Sequence, residues 1–246
     1  MYTPSDRERL RSALLAAARE DPRITGGAIT GSASLDNEDR WSDIDLAFGV
    51  ADGTQQAVLA DFTKLMYENE DVLHHVDVIS GSWIYRVFLL PNTLQVDLAF
   101  APAKDFGARA PSFRLVFGEV ADLAHVAAPA PEQLIGLSWL YALHVRSSVA
   151  RGRLWQAEYM LSAMRDQVLA LACVRHGLPA REARGIDRLP REVTAPLEGA
   201  LVGRLDAAEI ASAFRITTQA LLRETEQVDE GLAHTLKTAL FELAGV

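Results

Sequence analysis

Gly31-Ser32-Ala33-Ser34-Leu35-Asp36-Asn37-Glu38-Asp39-Arg40-Trp41-Ser42-Asp43-Ile44-Asp45-Leu46-Ala47-Phe48 is the stretch whose reading decides the fold. It sets two carboxylates, Asp43 and Asp45, one residue apart at the start of an apolar run. Side chains alternate across a strand, so these two project to one side and Ile44 to the other. Like charges held together resist ionisation. A chain that keeps such a pair at the mouth of a buried strand is built to place something positive between them. A hard divalent cation suits: magnesium takes a few carboxylate oxygens and leaves room for substrate phosphates.

Two further features belong to the same pattern. Leu94-Gln95-Val96-Asp97-Leu98-Ala99-Phe100 reads as a strand with one charge near its centre, and a lone buried carboxylate is costly unless paired or metal-bound. If this strand lies beside the first, Asp43, Asp45 and Asp97 form a carboxylate triad. Such a triad has room for two metal ions, and Asp97 is placed to take the proton of an attacking hydroxyl. Ahead of the pair, Gly31 permits a tight turn and close backbone approach. A helix beginning at or just after Ser32 would turn its free amides towards an anion. A phosphate site beside a metal clamp is the equipment of phosphoryl or nucleotidyl transfer.

Outward from this stretch, the first half of the chain alternates helix and strand. Ser5 to Glu20 has helical apolar spacing. Strands are expected at Ile24 to Thr30, Ile44 to Val50, Val72 to Ile79, Trp83 to Leu90, Leu94 to Phe100 and Phe113 to Val120, with a helix from Gln55 to Tyr67. Composition changes at Ala127-Ala128-Pro129-Ala130-Pro131, and beyond it helices are expected at Glu132 to Ala150, Leu154 to His176, Pro196 to Gly203, Ala207 to Glu226 and Gly231 to Leu243. The expected class is α+β: a mixed sheet flanked by helices in residues 1–126, then an all-helical bundle in 127–246.

Bulk properties narrow the function. Nearly half of the 246 residues are hydrophobic, enough for a substantial core. The single cysteine, Cys173, builds neither a disulfide framework within one chain nor a cysteine zinc cage. No signal peptide or long apolar span is present, so a soluble cytoplasmic protein with no membrane partner is expected. The net charge is −9. Residues 1–126 hold 11 Lys plus Arg against 19 Asp plus Glu, a net of −8; residues 127–246 hold 13 against 14, a net of −1. That balance disfavours nucleic acid as a partner and suits metal ions or a cationic small molecule.

Gly31-Ser32, followed by Asp43-Ile44-Asp45-Leu46 and by Asp97 on a later strand, resembles the nucleotidyltransferase superfamily of DNA polymerase β. Within it, Ser42-Asp43-Ile44-Asp45-Leu46 with a helical domain to follow is similar to the antibiotic nucleotidyltransferases of aminoglycosides and lincosamides. The motif covers about Ile29 to Phe100, and the helical half matches only in general character. The resemblance implies a nucleotidyltransferase-type mixed sheet in 1–126 and a C-terminal helical domain covering the acceptor cleft. It implies Mg²⁺-dependent transfer of a nucleoside monophosphate, here expected to be AMP from ATP, to a hydroxyl, with release of pyrophosphate. Asp43, Asp45 and Asp97 would hold the metal, and Gly31 and Ser32 the triphosphate. The acidic first half fits a cationic acceptor of aminoglycoside type. A protein hydroxyl, as in minimal antitoxin-like nucleotidyltransferases, is the alternative acceptor; a non-catalytic nucleotide-binding module is the alternative without chemistry. Monomer and homodimer both remain open.

In some antibiotic adenylyltransferases a helical-domain glutamate is the general base, and Glu158 is the candidate here. On a helix it shares a face with Trp155, Tyr159, Ser162 and Arg165; the plainer interpretation is a surface ion pair with a nearby arginine. Nine arginines lie between Arg146 and Arg191. Arg153 and Arg165 are the candidates for neutralising phosphate charge, with Arg40 beside the metal motif as a third. His74 and His75 point to opposite faces of a strand and form no common site. Asp77 is better explained by a cross-strand pair with Arg86, and Cys173 by the core.

Overall fold

In the computed structural model, which describes residues 2–245, the first helix begins at a reciprocal cap. The Thr3 hydroxyl accepts from the Asp6 amide at 3.2 Å and the Asp6 carboxylate accepts from the Thr3 amide at 3.0 Å. From there the chain runs through α1 (Pro4–Glu20), β1 (Ile24–Thr30), a 3-10 turn (Gly31–Leu35), β2 (Ile44–Val50), α2 (Gln55–Asn69), β3 (His74–Ser80), β4 (Trp83–Leu89), β5 (Gln95–Pro102) and β6 (Phe113–Gly118). The strands form one sheet in the order β3-β4-β5-β2-β1-β6. Neighbours are antiparallel except β2 and β5, which run parallel. A parallel pair needs a long crossover, and α2 with the β3–β4 hairpin supplies it.

The period-two pattern decides which face each residue takes. Ile44, Leu46, Phe48 and Val50 of β2 and Val96, Leu98 and Phe100 of β5 point into one core with Leu10 and Leu14 of α1 and Val58, Phe62 and Met66 of α2. Phe48, Phe62 and Phe100 meet at ring distances of 5.4 to 5.5 Å. The other face carries Asp45 and Ala47 from β2 and Asp97 and Ala99 from β5. Ala28, Ala47, Ala99 and Ala101 there pack with Trp83 and Phe106, and Tyr85 and Phe113 lie at the margin. Phe106 fits because a Cβ at Gly26 or Gly49 would stand 2.7 Å from its ring. At the sheet edge β3 is exposed almost throughout, including Val76, Val78 and Ile79.

The chain divides into Met1–Val126 and Ala127–Val246. The second unit contains α3 (Pro131–Ala150), α4 (Leu154–Arg175), α5 (Arg191–Glu198), α6 (Ala207–Val228) and α7 (Glu230–Ala244). Gly152, at φ 66°, turns α3 into α4. Val145, Leu161, Met164, Val168, Ile210, Phe214, Leu221 and Leu240 share one core. Cys173 is fully buried beside Leu189. Asp206 and Asp229 cap α6 and α7, accepting from the amides of Glu209 and Leu232 at 2.8 Å each. The class is α+β, a six-stranded mixed sheet with flanking helices followed by a helical region. One helix departs from expectation. The span Pro196 to Gly203 assumed that Pro196 opens a helix, but Pro190 takes the position before the first turn and α5 covers Arg191–Glu198 with Pro196 inside it. Among the described residues no helix is long and apolar enough to cross a membrane.

Candidate active site

The parallel register sets Asp45 directly against Asp97. Neighbouring strands lie about 4.8 Å apart, so two carboxylates adjoin on the sheet face away from α1 and α2. Asp43 comes just before β2, and its Oδ2 accepts from Gln95 Nε2 at 3.3 Å. Asp97 Oδ1 is buried without a hydrogen-bond partner. Burial first, then the charge of Asp43, pushes the Asp97 carboxyl up to about 6. Tyr85 of β4 stands within the same field: burial and then the Asp97 charge raise its hydroxyl pKa, against a smaller opposing effect of Arg109.

Gly31 belongs to this group by contact. It has φ 63°, and a Cβ there would lie 2.0 Å from Asp45 Oδ2. The Asp45 carboxylate therefore packs against the glycine backbone, and turn and strand form one unit. The turn itself differs from expectation. No α-helix begins at Ser32; Gly31–Leu35 is a five-residue 3-10 turn ended by Asp36 at φ 55°. The Ser34 hydroxyl donates to the Gly31 carbonyl at 2.7 Å, and the Asn37 amide returns to the Ser32 carbonyl at 3.1 Å. So short a turn has little aligned dipole to offer a phosphate. What Gly31 and Ser32 bring is proximity to the carboxylates.

Among the described residues no three His, Cys, Asp or Glu side chains stand as a ready metal cage. The backbone brings the aspartates together, but their side chains do not close around a point. Magnesium does not require closure, because it is held by one or two carboxylates plus waters and phosphates. An Asp45–Asp97 pair with an orphaned buried oxygen fits that mode, and it does not fit an all-protein site.

Arg40 is exposed, with its guanidinium carbon 4.3 Å over the Trp41 ring. Asp77 stays outside the carboxylate group: Arg86 donates to its two oxygens at 2.7 Å each and to Thr63 at 2.6 Å. Glu158, Arg153 and Arg165 belong to the second unit. Glu158 Oε1 accepts from the Ser162 hydroxyl at 2.6 Å, and Arg165 donates to that hydroxyl at 3.1 Å and to the Ala200 carbonyl at 3.1 Å. Glu158 thus reaches an arginine through a serine rather than directly. Trp155 and Tyr159 on the same helix are 79% and 68% exposed. Arg153 is exposed at the start of α4. Two residues that sequence reasoning passed over are Gln95, on the strand of Asp97, and Arg7 of α1, which reaches the loop before Asp43.

Comparison with protein-family models and with curated proteins finds no match. Among solved structures, an aminoglycoside 6-adenyltransferase from Bacillus subtilis aligns over 94% of this chain and 95% of that one, with 14% identity and a TM-score of 0.44. A likeness of that degree shows neither family nor activity.

Proposed function

We propose that the protein is a nucleotidyltransferase that moves a nucleoside monophosphate, AMP from ATP, to the hydroxyl of a small molecule. The observation that carries this is the Asp45–Asp97 pairing with Gly31 packed on Asp45 and one Asp97 oxygen left buried and unpartnered. The acceptor oxygen forms a bond to the α-phosphorus, the bond from that phosphorus to the bridging oxygen breaks, and pyrophosphate leaves. Asp97, on the strand beside Asp45, is the candidate to accept the hydroxyl proton. Glu158 is the second candidate base. Magnesium, held by Asp43, Asp45 and Asp97, would supply charge neutralisation on the phosphates. Gly31 and Ser32 would adjoin the triphosphate, and Arg40, Arg153 and Arg165 are the candidate cations for it. Most of the rate would come from alignment and preorganised charge. The acidic first unit favours a cationic acceptor of aminoglycoside type.

The test is pyrophosphate release from Mg²⁺-ATP across a panel of aminoglycosides and lincosamides, with Asp45→Asn as control. Release that depends on one acceptor and disappears in the variant supports the assignment. ATP binding with no release on any small acceptor would redirect the search to a protein hydroxyl. ATP binding with no release on any acceptor would leave a nucleotide-binding module.

A further inference from the structure

The loop that joins the Gly31 turn to Asp43 is fastened by buried charge from α1. Arg7 and Arg11 of α1 are 4% and 7% exposed, an unusual fate for arginines on a surface helix. Arg7 Nη1 donates to the carbonyl of Asp39 at 2.7 Å and to that of Ser42 at 2.8 Å. Its Nε lies 3.1 Å from Glu38 Oε1, close enough for charge attraction but not aligned for a hydrogen bond. Arg11 grips Glu38 with both terminal nitrogens, at 2.8 and 3.0 Å, and also pairs with Glu8. Tyr2 adds a donor to the Ser42 carbonyl at 3.0 Å. Within the loop the Ser42 hydroxyl accepts from the Asp39 amide at 2.9 Å, and Arg114 of β6 holds Asp36 at 2.7 Å.

The Ser42 carbonyl is half of the peptide unit whose other half is the Asp43 amide. A group that fixes this carbonyl fixes the plane from which Asp43 leaves the backbone. Both bonds leave one nitrogen, Nη1, which stands one bond farther from the backbone than a lysine ammonium reaches, and the planar guanidinium also sets its Nε beside Glu38. We propose that Arg7 is a positioning residue for the carboxylate site, setting the Ser42–Asp43 peptide so that Asp43 meets Asp45 and Asp97, with the Arg11–Glu38 pair as the second anchor of the loop. This role rests on the assignment of nucleotidyl transfer to that site. Arg7 touches no reacting atom in this scheme and acts only through Asp43.

The test compares Arg7→Lys with Arg9→Lys, a change at an exposed position on the same helix. Three readouts are taken: hydrogen exchange of amides 36–45, Mg²⁺-ATP affinity by calorimetry, and kcat and KM for the acceptor. Arg7→Lys is expected to retain cooperative unfolding and slow exchange in the β1 and β2 interior, while exchange in 36–43 speeds up. Mg²⁺-ATP affinity and kcat are expected to fall by about 10- to 100-fold, the scale of a site misplaced by roughly 1 Å, with acceptor KM nearly unchanged and Arg9→Lys like the wild type. Added guanidinium ion is expected to restore part of kcat in Arg7→Ala. Faster loop exchange with unaltered nucleotide affinity and kcat would overturn the positioning role and leave the transferase assignment intact. A wild-type protein that binds no Mg²⁺-ATP would overturn that assignment, and this role with it.

Discussion

At the scale of single residues, Gly31 and Asp97 make opposite demands. Gly31 is needed for its emptiness. Gly31→Ala would put a methyl group onto the Asp45 carboxylate and hold a left-handed φ, so a stability loss of about 1–3 kcal/mol is expected, with loss of activity. Urea unfolding and pyrophosphate release check the two effects separately. Asp97 is needed for a charge that the fold resists. Its native carboxyl holds a proton up to about pH 6, against 3.8 as its ordinary value. Between those values the native state keeps a proton that the unfolded chain gives up, so stability falls as pH rises through the window. Above it the deficit is about 3 kcal/mol at 1.36 kcal/mol per pKa unit. Asp97→Asn, which cannot ionise, is therefore expected to be more stable than the wild type near neutral pH and to lose that advantage below about pH 4, as read by unfolding midpoints across pH. Its transferase activity should vanish. Asp97 was legible in the sequence because a single charge stood in an apolar strand. Arg7 and Arg11 were not, because arginines on a helix ordinarily face water, and the partners that bury them come from a loop far along the chain.

At the scale of elements, the strands were legible from alternation and the long helices from spacing, since both patterns are local. What failed was local chemistry with two solutions. Pro190 and Pro196 are both able to begin a helix; the chain uses the earlier, and Leu197 near the end of α5 joins the helical core. Gly31-Ser32 left open a helix beginning at or just after Ser32, and the chain takes instead a five-residue 3-10 turn that ends at Asp36. Pairing order was likewise illegible: the parallel β2–β5 match that brings Asp45 to Asp97 joins segments separated by a helix and a hairpin. The sheet face bearing those carboxylates depends on one inserted ring. Phe106 fills the hollow over Gly26 and Gly49, so Phe106→Ala is expected to cost about 3–5 kcal/mol. Thermal unfolding measures the loss. A Phe106→Leu variant, leaving a smaller void, should recover part of it.

At the scale of the whole molecule, charge is the property most unevenly spread. Residues 1–126 carry nearly all the net negative charge. If the acceptor is cationic, its KM should rise steeply between about 0.05 and 0.5 M salt, because the Debye length shrinks from roughly 14 to 4 Å over that range. A salt-independent KM would mean a neutral acceptor. The lone thiol has a consequence of another kind. Cys173 is sealed beside Leu189 in the helical unit, and burial raises its pKa further. A thiol reagent can reach it only when that unit opens, and no second cysteine competes for the label. Its modification rate in the unaltered protein therefore counts openings of the helical half, so the chain carries its own clock for how often that half comes apart.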